Sequence, residues 1–312
     1  MSSRRQIIID TDPGHDDAFA ILLALASPRE LEVLGITTVA GNVPLEKTTY
    51  NALRLRELAR APHIPVYRGC ARPLVNRLVT AEYVHGESGL DGPDLPPPGA
   101  DVESAHAVDY LVETLRSASE PITICLLGPL TNMAMAIIKS PDVIDHIAQF
   151  VIMGGSFHAG GNITPAAEFN IYVDPHAAQV VFESGVPMTV MPLDVTHQAQ
   201  ATPVRIEPLR SLGTPVGVAV TQMIEFVERF DVSHGFEGFP LHDPTVIAYL
   251  IDPTMFEMRP GRISVALASG VSHGMTVADW RMRDGSAANA DVAVRLDADR
   301  YFGLIADRLA AF

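Results

Sequence analysis

At 312 residues with 47% hydrophobic content, the chain is long enough to bury a substantial core and too apolar for a disordered polymer. Thirty-seven acidic against 22 basic residues give a net charge of −15, and Lys47 and Lys139 are the only lysines, so no basic stripe exists for a phosphate backbone and nucleic acid is excluded as a partner. The longest apolar run, Ala18 to Ala26, falls far short of the roughly 20 residues a bilayer requires, and "MSSRRQIIID" turns acidic too soon for a signal-peptide core, so a soluble, cytoplasmic protein with no membrane partner is expected.

Short β-branched runs then alternate with longer helical patterns. "QIIID" precedes a helix over 17–26, "EVLGITTVAG" one over 44–60, "PVYRG" one over 102–118, and "ITICLLG" one over 129–139. "FVIMGG" leads to a helix opened by Asp174 and Pro175, and "PMTVMPLD" follows it. This rhythm predicts an α/β fold, a Rossmann-like open, mostly parallel sheet flanked by helices, in one domain over 1–312. Segments 70–101, with "HGESGLDGPDLPPPGAD", and 229–243, with "RFDVSHGFEGFPLHD", break the rhythm and read as lids. After 255, "RISVAL", "GMTVADW" and "ADVAVRLD" form a strand-rich C-terminal extension that continues the sheet or makes a small antiparallel annex, closed by a helix near 298–311. Cys70 and Cys125 have neither metal nor redox spacing and read as inert thiols.

The chemistry concentrates where the first strand meets the first helix. "DTDPGHDD" carries Asp10, Asp12, Asp16 and Asp17. Pro13 and Gly14 make a tight turn, so Asp12, leaving the strand, and Asp17, entering the helix, can reach one point. Caps at a helix N-terminus explain one or two of these acids, Asp16 among them. They do not explain four, because close carboxylates repel unless a cation neutralises them. Asp10 alternates with Asp12 and is expected to orient a metal ligand from behind. The spacing is not that of an EF-hand, and neither "MGG" at 153–155 nor "HAGGN" at 158–162 is a phosphate-binding loop. A further carboxylate is offered by Asp243 in "LHDP", beside His242, where plain capping is the competing role. In "GGNITPAAEFNIYVDP", Asn162, Glu168 and Asn170 stand among apolar residues, either pinning their own loop or facing a polyhydroxylated ligand such as a sugar.

"DTDPGHDDAFA", "TTVAGN", "HGESGL", "GPLTNMAMA", "VIMGGSF", "AEFNIYVDPHAA" and "LHDP", in this order from Ile7 to Asp243, resemble the inosine-uridine preferring nucleoside hydrolases, and the tail with "GMTVADW" is similar too. The resemblance implies hydrolysis of the N-glycosidic bond of a ribonucleoside, pyrimidine or inosine-type, to ribose and free base. It implies Ca2+ held by Asp12, a bidentate Asp17, Asp243 and the carbonyl of Leu127, where many relatives carry Thr. Ca2+ would fix the attacking water at C1′ while Asp12 accepts its proton. Asp16 would bind the ribose 2′-hydroxyl, Asn42, Asn162, Glu168 and Asn170 the rest of the ribose, and Met153 would lie beneath it. His242 would protonate the leaving base and His85 would touch the base from the first lid. His63, His106 and His146 read as ordinary surface or packing residues. The family further implies a homo-oligomer, tetramer or dimer, in nucleoside catabolism and salvage.

This chain departs from the family at "GGSFHAGGN", where relatives often have Tyr or another polar residue and one residue fewer before the Asn, so the family's base-side geometry does not carry over directly to Phe157 and His158. Its single tryptophan, Trp280, stands in an apparent strand and reads as packing, which argues against strict purine specificity. Phe230, His234, Phe236 and Phe239 supply aromatic contacts from the second lid. Two other classes compete. A HAD-like phosphatase would need Asp10 as nucleophile and a phosphate-binding lysine, and a Ca2+-dependent nucleoside or ribose binding protein would keep the cage without turnover.

Overall fold

The first strand, β1 (Arg5–Thr11), sends Ile7 and Ile9 into one hydrophobic cluster and Ile8 into another, because alternate side chains leave a strand on opposite faces. A strand covered on both faces has no polar side, hence the unbroken apolar run in its sequence. The computed structural model, which describes residues 4–233, 238–282 and 285–312, repeats this arrangement along the chain.

From β1 the chain runs through α1 (His15–Leu25), β2 (Leu31–Thr38), α2 (Leu45–Leu58), β3 (Val66–Arg68), α3 (Glu82–His85), α4 (Ala107–Ser117), β4 (Ile122–Leu126) and α5 (Thr131–Lys139). It continues with β5 (Ile147–Met153), α6 (Phe169–Val173), α7 (Pro175–Phe182), β6 (Met188–Met191), α8 (Leu193–Thr196), β7 (Gln200–Ala201), α9 (Pro203–Arg210) and α10 (Pro215–Ser233). Last come β8 (Phe239–Pro240), α11 (Pro244–Ile251), β9 (Phe256–Val265), β10 (Thr276–Asp279), β11 (Ala290–Leu296) and α12 (Ala298–Leu309).

Nine strands form one sheet in the order β10-β9-β11-β6-β5-β4-β1-β2-β3. From β3 to β11 all pairs are parallel, while β9 and β10 add antiparallel at the far edge. The C-terminal strands therefore extend the sheet. Helices α1, α2, α10, α11 and α12 contribute to the cluster that holds Ile7 and Ile9, and α4, α5 and α7 to the cluster that holds Ile8. The strand order reverses at β1, between β2 and β4, and in open parallel sheets that reversal leaves a crevice at the carboxyl ends of the strands.

Three local results refine the expected elements. The stretch 203–233, to which no element is assigned from sequence, holds α9 and α10, and α10 runs to Ser233, so the segment read as a lid from 229 begins inside a helix. Asp174 opens α7 as expected, its carboxylate accepting the Ala177 N–H at 3.0 Å. Both cysteines are free, and burial pushes each thiol up to about 12, consistent with inert side chains. Among the described residues no helix is long and apolar enough to cross a membrane.

Candidate active site

Five strand ends and one helix start converge on the crevice. Asp12 follows β1, Asn42 follows β2, Leu127 follows β4, Met153 ends β5, Thr196 follows β6 through α8, and Asp243 immediately precedes α11. A cavity of about 440 Å3 opens there, lined by Asp16, Asn42, His85, Leu127, Met153, Asn162, Glu168, Asn170, His242 and Asp243 among others. Ten of the twelve residues implicated from sequence thus line one cavity, and the other two, Asp12 and Asp17, are buried.

The turn after β1 is built by Asp17. One carboxylate oxygen accepts the Gly14 N–H at 2.9 Å and the Asn42 amide at 3.1 Å, and the other accepts the Thr11 hydroxyl and the Asp12 N–H. The capping role considered for Asp16 therefore falls to Asp17, while Asp16 faces the cavity. Asn51 steadies the same turn by donating to the Pro13 carbonyl at 3.0 Å and to Ser88 of the first lid at 2.8 Å.

Asp12 is 1% exposed. Its Oδ2 accepts the Asn42 N–H at 2.7 Å, but Oδ1 has no hydrogen-bond partner. The carboxylate is gripped between two glycines: a Cβ at Gly41 would lie 2.1 Å from Oδ2, and one at Gly128 would lie 2.2 Å from Oδ1. Asp243 does not cap α11 with its side chain. Capping, the competing role for Asp243, is thereby ruled out; its carboxylate joins those of Asp16 and Asp17, each offering an oxygen within 4.8 Å of the others.

Burial raises the pKa of all four carboxyls, and mutual repulsion adds to it. The charge of Asp17 pushes up Asp12 and Asp16, the latter to about 8, and Asp243 is raised by Asp16, Asp17 and Asp12 together. No lysine or arginine pairs with any of them among the described residues. Such a set must either hold protons or be neutralised by a cation. An all-oxygen donor set with an orphaned buried Oδ1 suits a hard divalent ion. The tightest trio is Asp16, Asp17 and Asp243, whereas the family resemblance assigns Asp12 to the metal and Asp16 to the sugar. Asp12 is not part of that trio, and its Oδ2 accepts the Asn42 N–H. The Leu127 carbonyl accepts the Asn170 amide at 2.7 Å, which leaves a second lone pair free.

Asp10 departs from expectation. Its carboxylate turns to Thr37 and to Asn132, which donates at 2.7 Å, so it braces β1 against β2 and α5 and does not orient the other acids. Only its backbone reaches the site, its carbonyl accepting the Leu127 N–H at 2.8 Å. Burial raises the Asp10 carboxyl to about 7. Asp10 does not line the cavity, and Lys139 is paired with Asp109, so the parts a HAD-like phosphatase requires are not assembled.

On the sugar side, Glu168 accepts the backbone N–H groups of Gly155, Asn170 and Ile171, and Asn162 accepts that of Phe169. Both therefore pin their own loop while lining the cavity. Asn170 donates to Leu127 and Met153. Burial lifts Glu168 to about 7.

Four imidazoles also line the cavity. His85, on α3, meets His15, with Nδ1 atoms 3.1 Å apart, and His15 Nε2 lies 2.9 Å from the Asp91 carbonyl. His15 also stacks on Phe226 of α10 at 5.1 Å, so it ties the acidic turn to the first lid and to α10. His15 escapes detection from sequence, because a lone histidine in a turn has no periodicity; its position one residue before two acids is the only hint. His242 Nδ1 lies 2.7 Å from the Thr196 hydroxyl, and its ring crosses that of His197 at 5.8 Å. Burial lowers His15 to about 4 and His242 to about 3, and holds His85 well below the usual imidazole range.

Phe157 and His158 do not line this cavity. They pack against Trp280, and their N–H groups donate to Asp194 at 2.8 and 2.7 Å. Trp280 follows β10 and carries Arg259 over its ring at 4.5 Å, as packing would have it. Of the second-lid aromatics, Phe239 is buried against the cavity, while the Phe230 side chain, His234 and Phe236 lie outside the described residues.

The family model for the inosine-uridine preferring nucleoside hydrolases matches residues 7–303. A relative from Salmonella agona, the pyrimidine-specific ribonucleoside hydrolase RihA, is 47% identical over 97% of this chain and 97% of its own length. The purine-preferring ribonucleoside hydrolase of Gardnerella vaginalis superposes with a TM-score of 0.92 at 31% identity, over 98% of each chain. A plant nucleoside hydrolase, PpNRh1, superposes with a TM-score of 0.92 at 34% identity, over 99% of this chain and 100% of its own.

Proposed function

Since the chain belongs to the inosine-uridine preferring nucleoside hydrolase family and is a nucleoside hydrolase, we propose that it is a Ca2+-dependent enzyme that cleaves pyrimidine ribonucleosides in preference to purine ones. The observation that carries this reading is Asp12: fully buried, with one carboxylate oxygen unpartnered, beside three more uncompensated acids at the strand-order reversal. Asp12, Asp17, Asp243 and the Leu127 carbonyl hold the ion, with Asp16 close enough to join them. The chemistry a hard cation supplies there is positive charge, which neutralises the acids and acidifies the attacking water.

Asp12 accepts the proton of the water that attacks C1′, a role open to it because its Oδ1 is buried and has no other hydrogen-bond partner. Asp16 accepts the ribose 2′-hydroxyl. Asn42, Asn162, Glu168 and Asn170 orient the remaining ribose oxygens, and Met153 supports the ring from below. These groups favour the flattened, cationic sugar over its ground state, which is the source of the acceleration. His242 donates a proton to the departing base and His85 contacts that base from the lid. Pyrimidine preference is supported by the 47% identity to a pyrimidine-specific relative and by the position of Trp280, away from the cavity.

The test is a reducing-sugar assay on uridine, cytidine, inosine, adenosine and guanosine, with and without EDTA. Fastest ribose release from uridine and cytidine, stopped by chelation and restored by Ca2+, is expected. Release indifferent to chelation would remove the metal, and faster turnover of inosine or adenosine would reverse the base preference.

A further inference from the structure

Thr196 has no place in the reading above. It ends α8, is fully buried and does not line the cavity. Its backbone is fixed on both sides, its N–H donating to Pro192 at 3.0 Å and its carbonyl accepting from Ala199 at 2.9 Å. As a β-branched residue it has few side-chain rotamers to choose from. Its hydroxyl meets one polar partner among the described residues, Nδ1 of His242, at 2.7 Å.

We infer that Thr196 is a positioning residue for hydrolysis: its hydroxyl donates to Nδ1 of His242 and thereby keeps the ring proton on Nε2, the nitrogen left for the leaving base. A buried hydroxyl needs an acceptor for its hydrogen. If Nδ1 carried the proton and donated instead, the Thr196 hydrogen would have none. In a neutral imidazole one nitrogen donates and the other accepts, so assigning Nδ1 as the acceptor makes Nε2 the donor. The crossed ring of His197, 5.8 Å away, restricts rotation of His242 and keeps Nδ1 on the threonine side. The other tautomer would turn a lone pair toward the departing base and oppose its negative charge, whereas an Nε2–H stabilises that charge by a hydrogen bond.

This rests on the reading of His242 as the leaving-group acid, so the experiment separates the two. Thr196→Val keeps the shape and removes the hydroxyl, and Thr196→Ser keeps the hydroxyl. Each is assayed, beside His242→Ala, on uridine and on p-nitrophenyl riboside, whose leaving group needs no proton. Thr196→Val is expected to lower kcat on uridine by about 10- to 100-fold, the range for residues that orient a functional histidine, with KM and the p-nitrophenyl reaction little changed. Thr196→Ser should retain uridine turnover. Equal losses on both substrates, or no loss on uridine, would overturn the inference. If His242→Ala itself loses equally on both, the role of His242 falls and the cause is identified there. The 15N spectrum of the wild-type ring needs no variant and decides the case even if Thr196→Val does not fold: a proton on Nε2 supports the donation, and one on Nδ1 refutes it.

Discussion

Two kinds of side chain meet at the cavity, the carboxyls of Asp12, Asp16, Asp17 and Asp243 and the imidazoles of His15, His85, His197 and His242; burial raises every one of the carboxyls and lowers every one of the imidazoles. Both shifts press toward the uncharged form. A neutral imidazole is satisfied by neutral partners, and the protein supplies them in the Thr196 hydroxyl and the Asp91 carbonyl. The acids lack any positive partner among the described residues, and Asp17 makes Asp12, Asp16 and Asp243 harder to ionise. The imidazoles are satisfied by the chain itself, whereas the acids are left to hold protons or to take a cation. What marks a ligand site is therefore unmet electrostatic demand, of which desolvation is only half.

Removing the cation should act on the acids alone, with the largest effect: EDTA abolishes ribose release and Ca2+ restores it, while near-ultraviolet circular dichroism shows the fold intact. Activity that survives exhaustive chelation would show that the acids are also self-sufficient. Next, Asp12→Asn should cut kcat by about 10²- to 10⁴-fold, the usual worth of a general base, and leave thermal stability unchanged or raised. A variant with wild-type turnover would reduce Asp12 to a structural group. Gly128→Ala drives a methyl against Asp12 Oδ1 and should cost about 1–3 kcal/mol by overpacking, measured by urea denaturation, together with weaker Ca2+ binding by calorimetry.

A gentler probe is pH. Without metal, the folded Asp16 carboxyl, at about 8, lies above its ordinary 3.8, so the folded state holds that proton more tightly than the unfolded chain does. Its stabilising contribution is full below about pH 4 and is lost as pH rises toward 8. The melting temperature of the chelated protein should be lowered by this group across that window, and the rise on adding Ca2+ should be larger at pH 8 than at pH 5, because ligands must first deprotonate. An increment independent of pH would contradict the proposed ligands. Smallest of all, Trp280→Phe should leave the ratio of uridine to inosine turnover unchanged. A reversed ratio would extend the base side to the Phe157 region.

The strand rhythm and the acidic turn were legible because both are local: a doubly covered strand must read as an apolar run, and four acids in eight residues need a reason. The helices α9 and α10 were not. Pro208 interrupts the pattern of the first, and the second combines Val216, Val220 and Ile224 in the core with an apolar surface residue, Val218, which blurs its period. The choice between capping and a cavity-facing role at Asp16 and Asp243 was likewise hidden, because it depends on partners that only the tertiary fold brings near. His15 and Thr196 illustrate the limit most plainly. Each matters through contacts with residues distant in the chain, and neither belongs to a periodic pattern.

The reach of the acidic cluster across the chain bears on how the molecule is made. Asp12 and Asp17 emerge early in synthesis, but Asp243 joins them only when α11 has docked on α1. Until then the nascent chain holds a half-built cage with too few oxygens to capture an ion firmly. On the proposed ligand set, ion capture would be a late event, and the ion would act as a lock on the finished fold instead of a nucleus for it. Metal should slow unfolding far more than it hastens folding, the kinetic signature of contacts absent from the transition state.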